Sequence, residues 1–241
     1  MIIQLFVVPS ILVVVVMGFI LLFFGGVGAG PRTADQFIEG LNSPSGHKRQ
    51  QTAHDLAQVL PRHRELRHDA KFALDLTDML QRELKAPRPG GPDPKPGSPD
   101  AVLNQLDYLP AIVGNFSVPV AMPLLTEIVR ANIEGKDQAL VRARNAIVAI
   151  GNLGHRLREF DRLPAEDKEK VLVQLRQEAG KQPGRATFAQ EAYEYLQQRM
   201  QAGQQPLADP YGVVATLSLG ARANDELTRK YTIIALANWQ A

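Results

Sequence analysis

"TRKYTIIALANWQA", Thr228–Ala241, is the stretch whose reading decides the fold. A basic residue leads into small and branched apolar residues and a lone Trp. The pattern has two echoes upstream, "YLPAIVGNFSVP" at Tyr108–Pro119 and "NAIVAIGNLGHR" at Asn145–Arg156. In each, a small residue follows an apolar pair: Gly114, Gly151 and Ala237, with Ala57 of "HDLAQVL" as a fourth. Discounting a Pro-rich segment, the recurrence has a period of about 40 residues, which signals a stacked two-helix unit. A first helix precedes each second one, as in "KFALDLTDMLQREL" and "AMPLLTEIV". Breakers such as "NSPSG", "IEGKD" and "QPGRA" separate the helical patterns. Strand-like runs are missing from this part of the chain. Small residues at the seam let neighbouring helices approach closely, and each unit covers its apolar face with the next.

These residues resemble HEAT repeats, over roughly 33–241. The second helix of that family opens with an apolar–Arg pattern and runs through Ala-rich positions. Leu227, Arg229, Ala235, Leu236 and Ala237 match it, as do Arg49, Ala53, Leu56 and Ala57. Pro119 and Pro123 flank the expected start of a first helix. The third unit departs by one register, because Arg142 and Arg144 straddle the Arg position. The resemblance implies an all-α, right-handed α-solenoid of about five HEAT-like helix pairs, with the repeat domain over 31–241. It also implies structural roles for Arg49 and Arg229. Trp239 is expected to seal the open end of the stack.

The first 30 residues read differently. No charged side chain occurs before Arg32, and Leu5–Phe24 supplies about 20 apolar residues, enough to cross a bilayer as a helix. A cleaved signal peptide would have a basic start and a shorter apolar core. The expectation is therefore a transmembrane anchor over 1–30 on a single-pass membrane protein. Arg32 after the span places the repeat domain on the cytoplasmic side. Gly26, Gly28 and Gly30 are spaced like a phosphate loop, but no Gly-Lys-Ser/Thr follows, so they read as a juxtamembrane hinge.

Composition excludes several chemistries. There are 0 cysteines, which removes thiolate metal sites and Cys nucleophiles. Lys+Arg number 27 against 25 Asp+Glu, without the basic excess of a nucleic-acid binder. The pairs His54–Asp55 and His68–Asp69 lack the converging ligands of a metal site and read as solvated or capping groups. "RHRELRHDAK", Arg62–Lys71, is the densest basic cluster, diluted by Glu65 and Asp69. The segment 86–99 carries six prolines and three glycines and reads as a surface insertion between the helices of the second unit.

The expected function is a membrane-anchored scaffold that binds a protein partner and performs no catalysis. No cofactor, metal, small-molecule substrate or nucleic acid is expected. Candidate partner contacts are Arg142, Arg144, Asn145 and Lys230 on the second helices. The alternatives are a HEAT-like enzyme, either bilin-lyase-like or metal-dependent, and a nucleic-acid-binding repeat protein.

Overall fold

The computed structural model describes residues 32–86, 105–181, 183–202, 209 and 211–240. Met1–Gln36 and Phe37–Ala241 form separate compact units. In the first unit, Thr33 and Gln36 cap each other: the Gln36 amide donates to Thr33 Oγ1 at 3.4 Å and the Thr33 amide to Gln36 Oε1 at 3.0 Å. This reciprocal box starts α1, Ala34–Leu41.

The helices that follow are α2 (Gly46–Val59), α3 (Arg64–His68), α4 (Ala70–Lys85) and α5 (Gln105–Val113). A 3-10 turn at Pro119–Ala121 leads into α6 (Met122–Asn132) and α7 (Gln138–Asp161). Then come α8 (Ala165–Ala179), α9 (Pro183–Ala202), α10 (Val213–Ala221) and α11 (Glu226–Gln240). Among the described residues all regular structure is helical.

The packing follows the small residues picked out in the sequence. Helices α2, α5, α7 and α11 lie side by side in a row, and α4, α6 and α10 back them. At the α5–α7 seam, a Cβ on Gly114 would stand 2.5 Å from the Ala149 Cα. At the α7–α11 seam, a Cβ on Gly151 would stand 2.9 Å from the Ala235 Cα. Both helix pairs are thus in backbone contact, and only glycine leaves room. Behind the row lies a core that includes Phe37, Phe72, Phe116 and Phe160, all fully buried or nearly so. Phe72 meets Phe116 edge-on with ring centres 5.5 Å apart, a favoured aromatic geometry.

The first and last units repeat one motif at a constant offset. Ser45 caps α2 by accepting from the Lys48 amide, and Asp225 caps α11 by accepting from the Thr228 amide. Arg49 donates to the Ser43 and Pro44 carbonyls at 2.8 and 3.0 Å, and Arg229 to those of Ala223 and Asn224 at the same two distances. Thr52 and Thr232 each donate back to a carbonyl four residues earlier, at 2.8 Å. The recurring Arg therefore holds orphan carbonyls in the turn before its own helix, and Asp225 is spent on the cap.

The five-pair solenoid is corrected in one respect that matters. Helices α8 and α9, which a solenoid of five pairs over 31–241 would place in the row, are not in it: α11 packs directly on α7, and the α8–α9 hairpin lies against α4 and the 3-10 turn. An ion cluster explains the displacement. Arg185 on α9 reaches Asp75 at 2.5 Å and Asp78 at 3.0 Å on α4, and Glu178 on α8 at 2.8 Å. Arg185 Nη2 also donates to the Lys71 carbonyl at 3.3 Å. Trp239 is likewise not a seal at the open end. It is half-buried, stacked on Tyr195 of α9 at 6.5 Å.

The membrane assignment is also corrected. The expected span Leu5–Phe24 lies outside the described residues, and among the described residues no helix is long and apolar enough to cross a membrane. Helix α7 has the length, 24 residues, but carries Arg142, Arg144, Arg156, Arg158 and Glu159. Charges at such positions are costly in hydrocarbon. The single-pass anchor and the cytoplasm-facing orientation are withdrawn.

Candidate functional site

The row is not uniformly tight. Between α2 and α5 it opens into a groove of about 450 Å³. Ala53 and Ile112 form its buried floor, and the exposed Ala57 and Ala111 continue the apolar lining beside His47, Gln50, Gln51 and His54. The groove follows from the sequence. Where the α5–α7 and α7–α11 seams use glycine to bring backbones together, α2 presents long amide and imidazole side chains that stand its neighbour off. His54 is held along the rim by Gln58, whose Nε2 lies 2.7 Å from its own Nε2.

Tyr108 enters this groove from the second turn of α5. Its hydroxyl is buried, and among the described residues it has no hydrogen-bond partner. Burial pushes the phenol up to about 12, with Arg49 opposing and Glu83 adding to the shift. A neutral, desolvated O–H is therefore held ready to donate. Leaving such a group unsatisfied costs about 1–3 kcal/mol. Tyr108→Phe is expected to stabilise the unliganded protein by about 1 kcal/mol in urea unfolding. A loss of stability would mean that the hydroxyl already has a partner.

A second cavity, about 380 Å³, lies between α6, α9 and Tyr211. Glu191, Glu194 and Gln198 on α9 and Arg130 on α6 line it, with Tyr195 behind. Burial raises the Glu191 carboxyl above its ordinary range, and the neighbouring Glu194 adds to the shift. Arg130 is already engaged, donating from Nε to Thr216 Oγ1 at 2.9 Å and from Nη2 to the Gly212 carbonyl at 3.3 Å.

The residues proposed from the sequence are placed as follows. Arg142 and Asn145 converge on one residue of α5. Arg142 is buried with Nε 3.4 Å from Asp107 Oδ1, and Asn145 donates to the Asp107 carbonyl at 3.0 Å. Gln138 joins them at 2.7 Å, so this triplet fastens α7 to α5. Arg144 is half-buried and lies near enough to Asp225 to lower that carboxyl, after the Thr228 hydrogen bonds that dominate the shift. Lys230 is exposed and pairs with Glu226 at 2.8 Å.

The two His–Asp pairs separate in the structure. Asp69 caps α4 by accepting from the Phe72 amide at 3.0 Å. His68 instead faces Ser117, with its Nδ1 against Ser117 Oγ. Burial, with Arg67 and Arg64 nearby, holds His68 down to about 4, so the ring is neutral at pH 7. This pair has the composition of a nucleophile and base, but Ser117 is 0% exposed and its hydroxyl donates to the Arg67 carbonyl at 3.2 Å. Arg67, in the basic cluster, reaches Glu159 at 3.2 Å, and Arg156 reaches the same carboxylate at 2.5 Å. Among the described residues no group of three or more His, Asp or Glu side chains could hold a metal.

Sequence reading missed Tyr108 as a site residue, although it stands in the quoted echo before Gly114. The available signal was its place on the groove-facing side of α5, opposite a polar stretch of α2.

No family model matches the chain, and no curated protein matches it. The resemblance to HEAT repeats is therefore corrected to an all-α fold of packed helical hairpins. The residues that suggested it have local explanations: Arg49 and Arg229 bind carbonyls of their own turns, and Gly114 and Gly151 allow close helix approach.

Proposed function

We propose that this protein is a helical binding module whose α2–α5 groove takes an apolar side chain of a protein partner. The buried Tyr108 hydroxyl, without a hydrogen-bond partner among the described residues, carries the reading. An apolar floor with one convergent polar group is the usual build of a binding groove. The floor accepts an aliphatic side chain, and Tyr108 donates to a carbonyl or carboxylate on the same segment. Gln50, Gln51, His47 and His54 supply a rim that pairs with main-chain groups. No bond is made or broken in this reading, and no cofactor takes part. Of the four contacts first proposed, Lys230 retains an exposed head group, while Arg142 and Asn145 serve the α5–α7 joint.

The test is a peptide selection against the full chain, followed by titration with the selected peptides. The enriched peptides are expected to carry an aliphatic residue, and Ala57→Trp, which fills the groove from the α2 side, to weaken them at least about tenfold, the equivalent of 1.4 kcal/mol. Unchanged affinity in Ala57→Trp, with the variant still folded by circular dichroism, would refute the groove as the binding site.

A further inference from the structure

The cavity between α6, α9 and Tyr211 shares no residue with the α2–α5 groove, and its chemistry differs. Glu191 and Glu194 line it from one turn of α9, neighbours of like charge. The Gln190 side chain donates to Glu194 Oε1 at 2.6 Å. Glu191 has no donor or cation against it among the described residues; burial and Glu194 are what act on its carboxyl. The Tyr211 hydroxyl is buried and has no hydrogen-bond partner among the described residues. Burial, and then Glu191, Tyr195 and Glu194, hold this phenol above its ordinary value, so it stays protonated. The Tyr195 and Tyr211 rings, 5.6 Å apart and inclined at 52°, make an aromatic wall. Arg130 is the cation of the lining, and its Nε and Nη2 are already given to Thr216 and Gly212. Arg199, further along α9, is taken up by Asp161 at 2.6 and 2.7 Å. Two carboxylates thus face the cavity against one guanidinium.

We propose that this cavity binds a protonated primary amine, either free or at the end of a partner's lysine side chain. An ammonium head brings three N–H donors and no acceptor. The cavity has an acceptor for each: Glu191, the Glu194 oxygen that Gln190 leaves open, and the Tyr211 hydroxyl oxygen. The phenol hydrogen then turns to a carboxylate, so the buried hydroxyl is paired in the complex. One positive charge offsets the excess negative charge of the lining and relieves the repulsion between Glu191 and Glu194. The methylene stem lies along the Tyr195 and Tyr211 rings, which favour a cation at their faces. A divalent metal is the poorer match, because two carboxylates fall short of the ligand set it takes, and among the described residues no group of three could hold one. An anionic ligand would meet Glu191 and Glu194 as like charges.

The test titrates the full chain with two probes, n-butylammonium and a blocked tripeptide with lysine between two glycines, and follows the methyl resonance of Thr126 in the cavity wall. A saturable shift is expected, with a Kd on the order of 1 mM. Glu191→Gln keeps the shape and removes the charge, and is expected to weaken binding at least about tenfold. Glu127→Gln makes the same change at an exposed position of α6 outside the cavity and is expected to leave binding as it was. Binding of butylammonium alone assigns the site to a free amine, and equal or tighter binding of the peptide assigns it to a partner's lysine. No saturable shift with either probe would overturn the proposal. So would equal weakening in both variants, or undiminished binding in Glu191→Gln with its circular dichroism unchanged.

Discussion

Replacing Arg185 with Ala is expected to detach the α8–α9 hairpin from α4. The guanidinium serves three carboxylates, Asp75, Asp78 and Glu178; Lys181, 2.6 Å from Glu178, and Arg82, which acts on Asp78 through its charge, supply further positive charge. Glu178 is 5% exposed, so its charge has little recourse to water. Removing one partner of a buried ion pair costs about 3–5 kcal/mol, because the charges left behind are uncompensated. Asp75 and Asp78 are a quarter exposed and can be partly rehydrated, which brings the expected loss to about 2–3 kcal/mol. Hydrogen exchange should report it locally, with protection falling across α8 and α9 and retained in α7 and α11.

The pH dependence has a definite sign. Burial pushes the Glu178 carboxyl up, but Lys181 and Arg185 outweigh it, and the group ends below its ordinary value. Its stabilising contribution is therefore full above the unfolded-state value and is lost as pH falls through the folded one. Asp78 is raised, chiefly by burial, and contributes in the opposite sense: it opposes folding once ionised and is relieved by acid. In Arg185→Ala the uncompensated carboxylates dominate. The stability gap between the variant and the parent chain should narrow as pH is lowered through the carboxylate range. A gap independent of pH would show that Arg185 acts through its packing and not its charge.

Gly114→Ala is expected to cost about 3 kcal/mol, the upper range for overpacking a tight contact. The added Cβ would lie 2.5 Å from the Ala149 Cα and 2.6 Å from its carbonyl oxygen, so α5 and α7 must separate. Because the obstacle is backbone, Ala149→Gly in the same chain should recover little of the loss. Urea unfolding of the two variants measures this. Full recovery in the double variant would mean that the Ala149 methyl, and not the helix backbone, sets the spacing. Separation of α5 from α7 would also strain the joint in which Arg142, Asn145 and Gln138 hold Asp107.

The two predictions mark where the sequence could be read and where it could not. Gly114 and Gly151 stood out because a small residue recurring in an apolar run has one strong physical use, close helix approach. The structure uses both that way. Arg49 and Arg229 were legible for a related reason: their partners lie five and six residues away, in the same turn. The place of α8 and α9 was not legible. Their apolar periodicity shows that they are helices with an inner face, and it does not say which helix that face meets. The choice is made by Arg185 and two aspartates more than a hundred positions earlier. Once α8–α9 is set aside, Trp239 reaches Gly154 and Tyr195 and has no open end to cover. The α2–α5 groove was hidden for a similar reason. A row of His and Gln on one side of α2 reads as a solvated face until its neighbour is known.

The central claim is that α11 packs directly on α7, with α8 and α9 outside the row. Nuclear Overhauser contacts in selectively methyl-labelled protein test it most directly. A cross-peak between the Gly151 Hα and the Ala235 methyl is expected, with none from Gly151 to Leu175 of α8 or Leu196 of α9. Contacts from Gly151 to those leucines, and none to Ala235, would return α8 and α9 to the row and contradict the arrangement described.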